Sequence, residues 1–161
     1  MFELGKLARG AKFMAVIGAM LFVAACAQTQ PDGLQGNVKP GTGQDFVVNV
    51  GDRVFFEEDQ STLSAQAKAT LDKQAQWLSS YSKYTITVEG HADERGTRQY
   101  NLALGARRAN ATRDYLVSRG VSASRIKTIS YGKERPVAVC NDNSCWSQNR
   151  RAVTVLNNAS S

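Results

Sequence analysis

Residues 83–120 read KYTITVEGHADERGTRQYNLALGARRANATRDYLVSRG, and their periodicity changes partway along. Over "KYTITVEG" apolar and polar residues alternate, with Ile86 and Val88 on one side, which is the mark of a half-buried strand. In "RQYNLALGARRANATRDYLVSRG" the spacing lengthens to that of a helix starting near Gln99, and Gly120 stands where a helix C-terminus favours glycine. Between strand and helix lies a short loop. It contains the chain's one histidine, His91, with Asp93 two residues further on.

Working outward, "DFVVNVGDRVFFEED" predicts a strand over 53–56, with a hairpin partner before it across Gly51 and Asp52. "STLSAQAKATLDKQAQWLSSY" puts Leu63, Ala67, Leu71, Ala75 and Leu78 on one helical stripe, with Ser61 or Ser64 as the N-cap. "SRIKTISYGKERP" predicts a third strand that stops before Pro136. "VAVCNDNSCWSQ" reads as a loop, and "NRRAVTVLN" as a final alternating strand. The order β-α-β-α-β-loop-β implies an α+β sandwich, two main helices on one face of a mixed four-stranded sheet.

On the second helix Asn101, Gly105 and Arg108 fall nearly on one line, since seven residues make almost two turns. The expected core face, Leu102, Ala106, Ala109 and Leu116, lies beside that polar stripe. A glycine inside a helix costs roughly 0.5–1 kcal/mol relative to alanine. Close approach of a ligand or of another backbone would justify it.

The first 25 residues have a different character. Lys6, Arg9 and Lys12 precede an uncharged apolar run of 13 residues, Phe13 to Ala25. That is too short for a membrane span, which needs roughly 20 residues, and it fits a secretory signal peptide over 1–25. The run ends Val23-Ala24-Ala25-Cys26, which resembles the lipobox of bacterial lipoproteins and implies cleavage before Cys26 and lipidation of it. The plainer alternative is a signal peptide with a chance cysteine. Residues 26–44 follow as a lipidated cysteine and a Gly- and Pro-containing tether, and 45–161 as the folded domain. Cleavage removes three of 20 basic and one of 14 acidic residues, leaving +4. Export excludes nucleic acid as a partner, and a mild positive charge suits an anionic envelope surface. It also puts Cys140 and Cys145 in an oxidising space, where a disulfide is the default pairing. Their spacing resembles half of a zinc site, but a second ligand pair is missing.

The ordered motifs "VEGHADERGT…YN…LG.RRA", "SYGKE.P" and "NRRAV" resemble those of the OmpA-like peptidoglycan-binding domain, over residues 52–156. The resemblance implies a non-catalytic domain that binds the meso-diaminopimelate of peptidoglycan stem peptides. By its pattern Asp93 meets the ligand's ammonium and Arg108 its carboxylate. Asn101 and the Asn149-Arg150-Arg151 motif complete the site, and His91 and Gly105 support it. Arg150 and Arg151 would be neighbours on a strand and point to opposite faces, which favours Arg150 for the groove. For lipoproteins of this kind the resemblance further implies an outer-membrane anchor with N-acyl and S-diacylglycerol chains on Cys26, and a domain in the periplasm. It implies as partners TolB and the other Tol proteins, with a part in cell division. No metal or other cofactor is expected.

The residues alone leave two alternatives. Asp93 and Arg108 could be an ion pair with each other. His91 and Asp93 could be the acid–base pair of a murein hydrolase, although no Gly-x-Ser-x-Gly element or reactive cysteine accompanies them. Failing that, His91 is expected to shape the loop by hydrogen bonding.

Overall fold

The computed structural model describes residues 38–158. The signal peptide 1–25, the lipidation of Cys26 and most of the tether lie outside the described residues.

Four strands form one sheet in the order β1-β4-β2-β3. These are β1 (Arg53–Phe55), β2 (Ile86–His91), β3 (Ile126–Gly132) and β4 (Arg151–Leu156). β4 runs antiparallel to both β1 and β2, whereas β2 and β3 are parallel. A parallel pair needs a long crossover, and helix α3 (Arg98–Ser118) supplies it. Helix α2 (Ala65–Ser80) begins at Ser64, whose Oγ accepts from Ala67 N at 3.1 Å. The core lies between these helices and one sheet face, with Leu71, Leu78, Ile86, Val88, Ala109 and Leu116 at its centre. α3 ends where Gly120 takes a φ of +95°. The expected α+β class and its helix-on-sheet layering are borne out.

Four local features add to or correct the sequence reading. First, 43–50 is no hairpin strand. It forms a helical turn α1 (Gly43–Asp45) that continues as a π-type turn through Val50. The cause is Asp45, whose carboxylate accepts from Gly41 N, Asn49 Nδ2 and the Trp77 indole N–H, each at 2.8 Å. Trp77, Asn49 and Gly41 hold that carboxyl below its ordinary pKa, against the opposing effect of burial. Phe46 follows into the core against Trp77, with ring centroids 4.9 Å apart.

Second, a contact is made just before Asp45, where Tyr84 Oη donates to the Gly41 carbonyl at 2.8 Å. Third, the expected loop before the last strand contains helix α4 (Asn143–Asn149), capped by Asp142, which accepts from Ser144 N at 2.7 Å. Asn149 and Arg150 therefore precede the strand, which begins at Arg151.

Fourth, α3 is rotated from the expected face. Asn101, Gly105 and Arg108 are buried with Leu104, Ala109 and Leu116, while Leu102 and Ala106 are only half-buried. The sheet explains this. A Cβ on Gly90 would overlap the carbonyl oxygen of Gly105, and a Cβ on Gly105 would lie 2.8 Å from Gly90 O. Two glycines thus let helix and strand backbones meet, so Gly105 serves backbone approach and the polar stripe faces inward.

Candidate functional site

The polar stripe of α3 points at the C-terminal end of β2. There the chain leaves the sheet through Ala92 and Asp93 and returns to α3 at Thr97, whose Oγ1 accepts from Tyr100 N at 3.2 Å. Side chains hold each carbonyl of 94–96. Lys133 Nζ donates to Glu94 O at 3.1 Å and to Gly96 O at 2.7 Å, and Asn101 Nδ2 to Arg95 O at 2.8 Å. Asn101 is 2% exposed, and loop fixation is the work it does here.

Beside this loop opens a shallow pocket of about 190 Å³. Asp93, Arg95 and Gly96 line it from the loop, Tyr100, Asn101 and Leu104 from α3, and Glu58 and Asp59 from the segment after β1. Asp59 has a positive φ of 54°, unusual away from glycine, and accepts from Tyr100 Oη at 3.2 Å.

Asp93 is 8% exposed and closely held. Oδ1 accepts from Arg95 N and Nε, both at 3.1 Å, and Oδ2 from Arg95 Nη2 at 2.8 Å. Arg150 Nη1 stands 3.5 Å from Oδ2. Burial raises the Asp93 pKa, but the hydrogen bonds and charge of Arg95, with Arg150 added, outweigh it and leave the carboxyl below its ordinary value. Asp93 is therefore an anion near neutral pH.

Arg108, which does not line the pocket, is 0% exposed. Its Nε donates to Gln60 O at 2.8 Å, Nη1 to His91 O at 2.9 Å and Nη2 to Glu57 O at 3.0 Å. One guanidinium thus ties α3 to the segment after β1 and to the end of β2. Burial and the nearby Arg150 charge lower its pKa to about 10, while Asp93 and Asp59 act in the opposite direction. It stays a cation at neutral pH. Asp93 forms its ion pairs with Arg95 and Arg150, and its direct pairing with Arg108 is not seen.

Arg150 caps the C-terminus of α4, which turns its side chain toward Asp93. Its Nε donates to Phe56 O at 3.0 Å, and buried Nη1 has no hydrogen-bond partner in the described protein. Arg151 donates instead to Asn149 O at 3.3 Å and Arg135 O at 3.2 Å. Arg150 and Arg151 meet different partners, and only Arg151 is on the strand, so the expected alternation of two strand neighbours does not apply. Asn149 fixes the preceding loop, accepting from Val137 N at 2.8 Å and donating to Ala138 O at 2.8 Å.

His91 differs from its expected role. Its ring is 2% exposed, stacks on Tyr131 with centroids 5.6 Å apart, and makes no hydrogen bond through either nitrogen. Burial, with Arg151 and Arg135 nearby, lowers its pKa to about 4, so the ring is neutral near pH 7. Only its main-chain oxygen serves the site, by accepting from Arg108. The His91–Asp93 acid–base pair is not formed.

Sequence reasoning missed Arg95, Glu58, Asp59 and Trp146. Trp146 Nε1 donates to Glu94 Oε1 at 3.1 Å, and the Arg95 guanidinium lies 4.1 Å from the indole centroid. The nearness of Arg95 to Asp93 in sequence was a usable signal. The contact with Trp146 crosses the whole fold and left none. The Cys140–Cys145 disulfide is present, with Cα atoms 5.7 Å apart, and no cluster able to hold a metal occurs among the described residues.

The chain matches the OmpA family over residues 55–151 and belongs to it. It is 62% identical over 156 residues to the peptidoglycan-associated lipoprotein of Mesorhizobium japonicum, a match covering 92% of this chain and 93% of that protein. Against the peptidoglycan-associated lipoprotein of Rhizobium meliloti it is 71% identical over 126 residues, covering 78% of this chain and 72% of that protein. The fold is similar to the crystal structure of the peptidoglycan-associated lipoprotein from Burkholderia pseudomallei. There the TM-score is 0.67 and the identity 39%, over 70% of this chain and 98% of that one. These relatives carry the name of a lipoprotein associated with the wall and not of an enzyme. The buried His91 ring, with no hydrogen bond to Asp93, gives the murein-hydrolase alternative no support.

Proposed function

We propose that this protein is an outer-membrane lipoprotein whose periplasmic domain holds the cell wall without covalent bonds, by binding the diaminopimelate zwitterion of uncrosslinked stem peptides. The observation that carries the reading is the charge arrangement of one pocket. Asp93, kept anionic, lines the pocket, and Arg108, a fully buried cation near enough to Asp93 and Asp59 to feel their charge, lies behind the lining residues. An amino-acid zwitterion presents the complementary dipole. Asp93 is assigned the ammonium, because a carboxylate only accepts. Arg108 lends its charge to the ligand carboxylate, and Arg150 Nη1, ion-paired with Asp93 at 3.5 Å but without a hydrogen-bond partner, is a donor beside it. Asn101 and Gly105 keep the loop and helix in place. A lysine-type stem peptide lacks the terminal carboxylate and would leave the cations unanswered, which gives discrimination.

Lipid on Cys26 would attach the domain to the membrane. A single acyl chain binds reversibly, so durable anchoring needs more than one. The names of the relatives support a lipoprotein. TolB and the Tol system, with a part in envelope integrity and cell division, belong to the same proposal.

The test is retention of the domain, from Gln28 onward, on purified sacculi. Wild type is retained on diaminopimelate-type wall and not on lysine-type wall, and Asp93→Ala loses retention. Equal retention of wild type and variant on both walls would overturn the reading.

A further inference from the structure

Helix α4 reaches the site at two points. Arg150 leaves its C-terminus toward Asp93. Trp146, midway, touches Asp93 nowhere, yet two successive contacts lead from it to that carboxylate. Its indole face lies 4.1 Å from the Arg95 guanidinium, and Arg95 donates three hydrogen bonds to Asp93. Its Nε1 also binds Glu94, so ring and loop are tied twice.

A carboxylate offers about four acceptor directions, and Arg95 takes three here. That clamps the group and leaves Oδ2, which has Arg150 Nη1 3.5 Å away and not hydrogen-bonded to it, to accept from an incoming ammonium. Arg95 is long and flexible, with its side chain 34% exposed. Left alone, it would share its time between Asp93, Glu58 and water. A cation over an indole face gains enough to restrict that freedom.

The helix carrying Trp146 is itself weak. Seven residues of sequence NSCWSQN are too few, and too poor in helix formers, to persist unaided. Asp142 caps one end and Asn149 grips the preceding loop. The Cys140–Cys145 disulfide closes the chain immediately before Trp146.

We propose that the Cys140–Cys145 disulfide and Trp146 are a positioning element of the wall-binding site. The disulfide holds α4, Trp146 holds Arg95, and Arg95 fixes the Asp93 carboxylate for the ligand's ammonium. The proposal rests on the reading of Asp93 as the ammonium's partner.

The experiment is calorimetric titration with a soluble muropeptide bearing a terminal meso-diaminopimelate, with a thermal melt for every variant. Trp146→Ala is expected to weaken binding roughly 5- to 20-fold, and Trp146→Phe, which keeps a ring under Arg95, by less than about 3-fold. In an Arg95→Gln background Trp146→Ala should cost nothing further, because its path is already cut. The double variant Cys140→Ser/Cys145→Ser should weaken binding to the level of Trp146→Ala, and not further when combined with it. Wild-type affinity in Trp146→Ala or in the serine pair overturns the proposal. So does a Trp146→Ala cost that persists without Arg95. Failure of the underlying reading looks different, because there Asp93→Ala binds as tightly as wild type.

Discussion

Arg108 and Arg95 flank the same carboxylate and are built in opposite ways. Arg108 is fully buried, and its guanidinium is spent on three main-chain oxygens from two separate segments. Arg95 is a third exposed, and it is held by two carboxylates and an indole face. Arg108, the buried floor of this charge cluster, is therefore part of the fold, and Arg95, its rim, is an adjustable layer on it. A substitution in the floor should be read first in stability, and one in the rim first in binding.

Arg108→Ala gives the largest expected effect. It strands the carbonyls of Glu57, Gln60 and His91, and unmade bonds of this kind together cost roughly 3–5 kcal/mol. Urea denaturation would measure it. A loss below about 1 kcal/mol would show that the floor is not structural.

Next in size is a pH effect beneath the site. The folded-state pKa of His91 is depressed, to about 4 from 6.5. Between those values the unfolded chain takes up a proton that the folded chain refuses, so stability falls as pH falls through that window. The full difference is on the order of 3 kcal/mol. His91→Gln should flatten the slope between pH 6.5 and 4, and an unchanged slope would assign it elsewhere. Asp93 is depressed too, so its contribution is present above its unfolded pKa and is lost only at lower pH, below about 4.

Gly105→Ala should destabilise by about 1–3 kcal/mol, because helix and strand must separate. The smallest effect belongs to the rim. Glu58→Gln removes one exposed partner of Arg95 and should change stability by less than about 0.5 kcal/mol. A larger loss would blur the distinction between floor and rim.

The parts legible in the sequence were those where a local pattern and the tertiary fold agree. Alternation located β2, helical spacing located α2 and α3, and Gly120 ended the latter. Residues 46–50 misled because their apolar run suits a strand, while Asp45 is held by an indole 32 positions away. Helix α4 was hidden because Asn, Ser and Cys do not favour helix, and caps and a disulfide supply what propensity lacks. The orientation of α3 was misjudged because a polar stripe ending in an arginine normally faces water. Here it faces main-chain oxygens, a burial that no composition rule anticipates. At the site, Asp93, Asn101 and Arg108 came from motif resemblance, while Trp146 is visible only when α4 is seen to fold back onto the loop.

The central claim is that one pocket reads both charges of a zwitterion. Titration of the wild-type domain with three stem peptides tests it most directly: one ending in free meso-diaminopimelate, one with that carboxylate amidated, one with lysine. The account predicts binding of the first and at least about tenfold weaker binding of the other two, since each leaves a buried cation unanswered. Equal affinity for all three would contradict it, and would mean that the wall is held elsewhere on the domain.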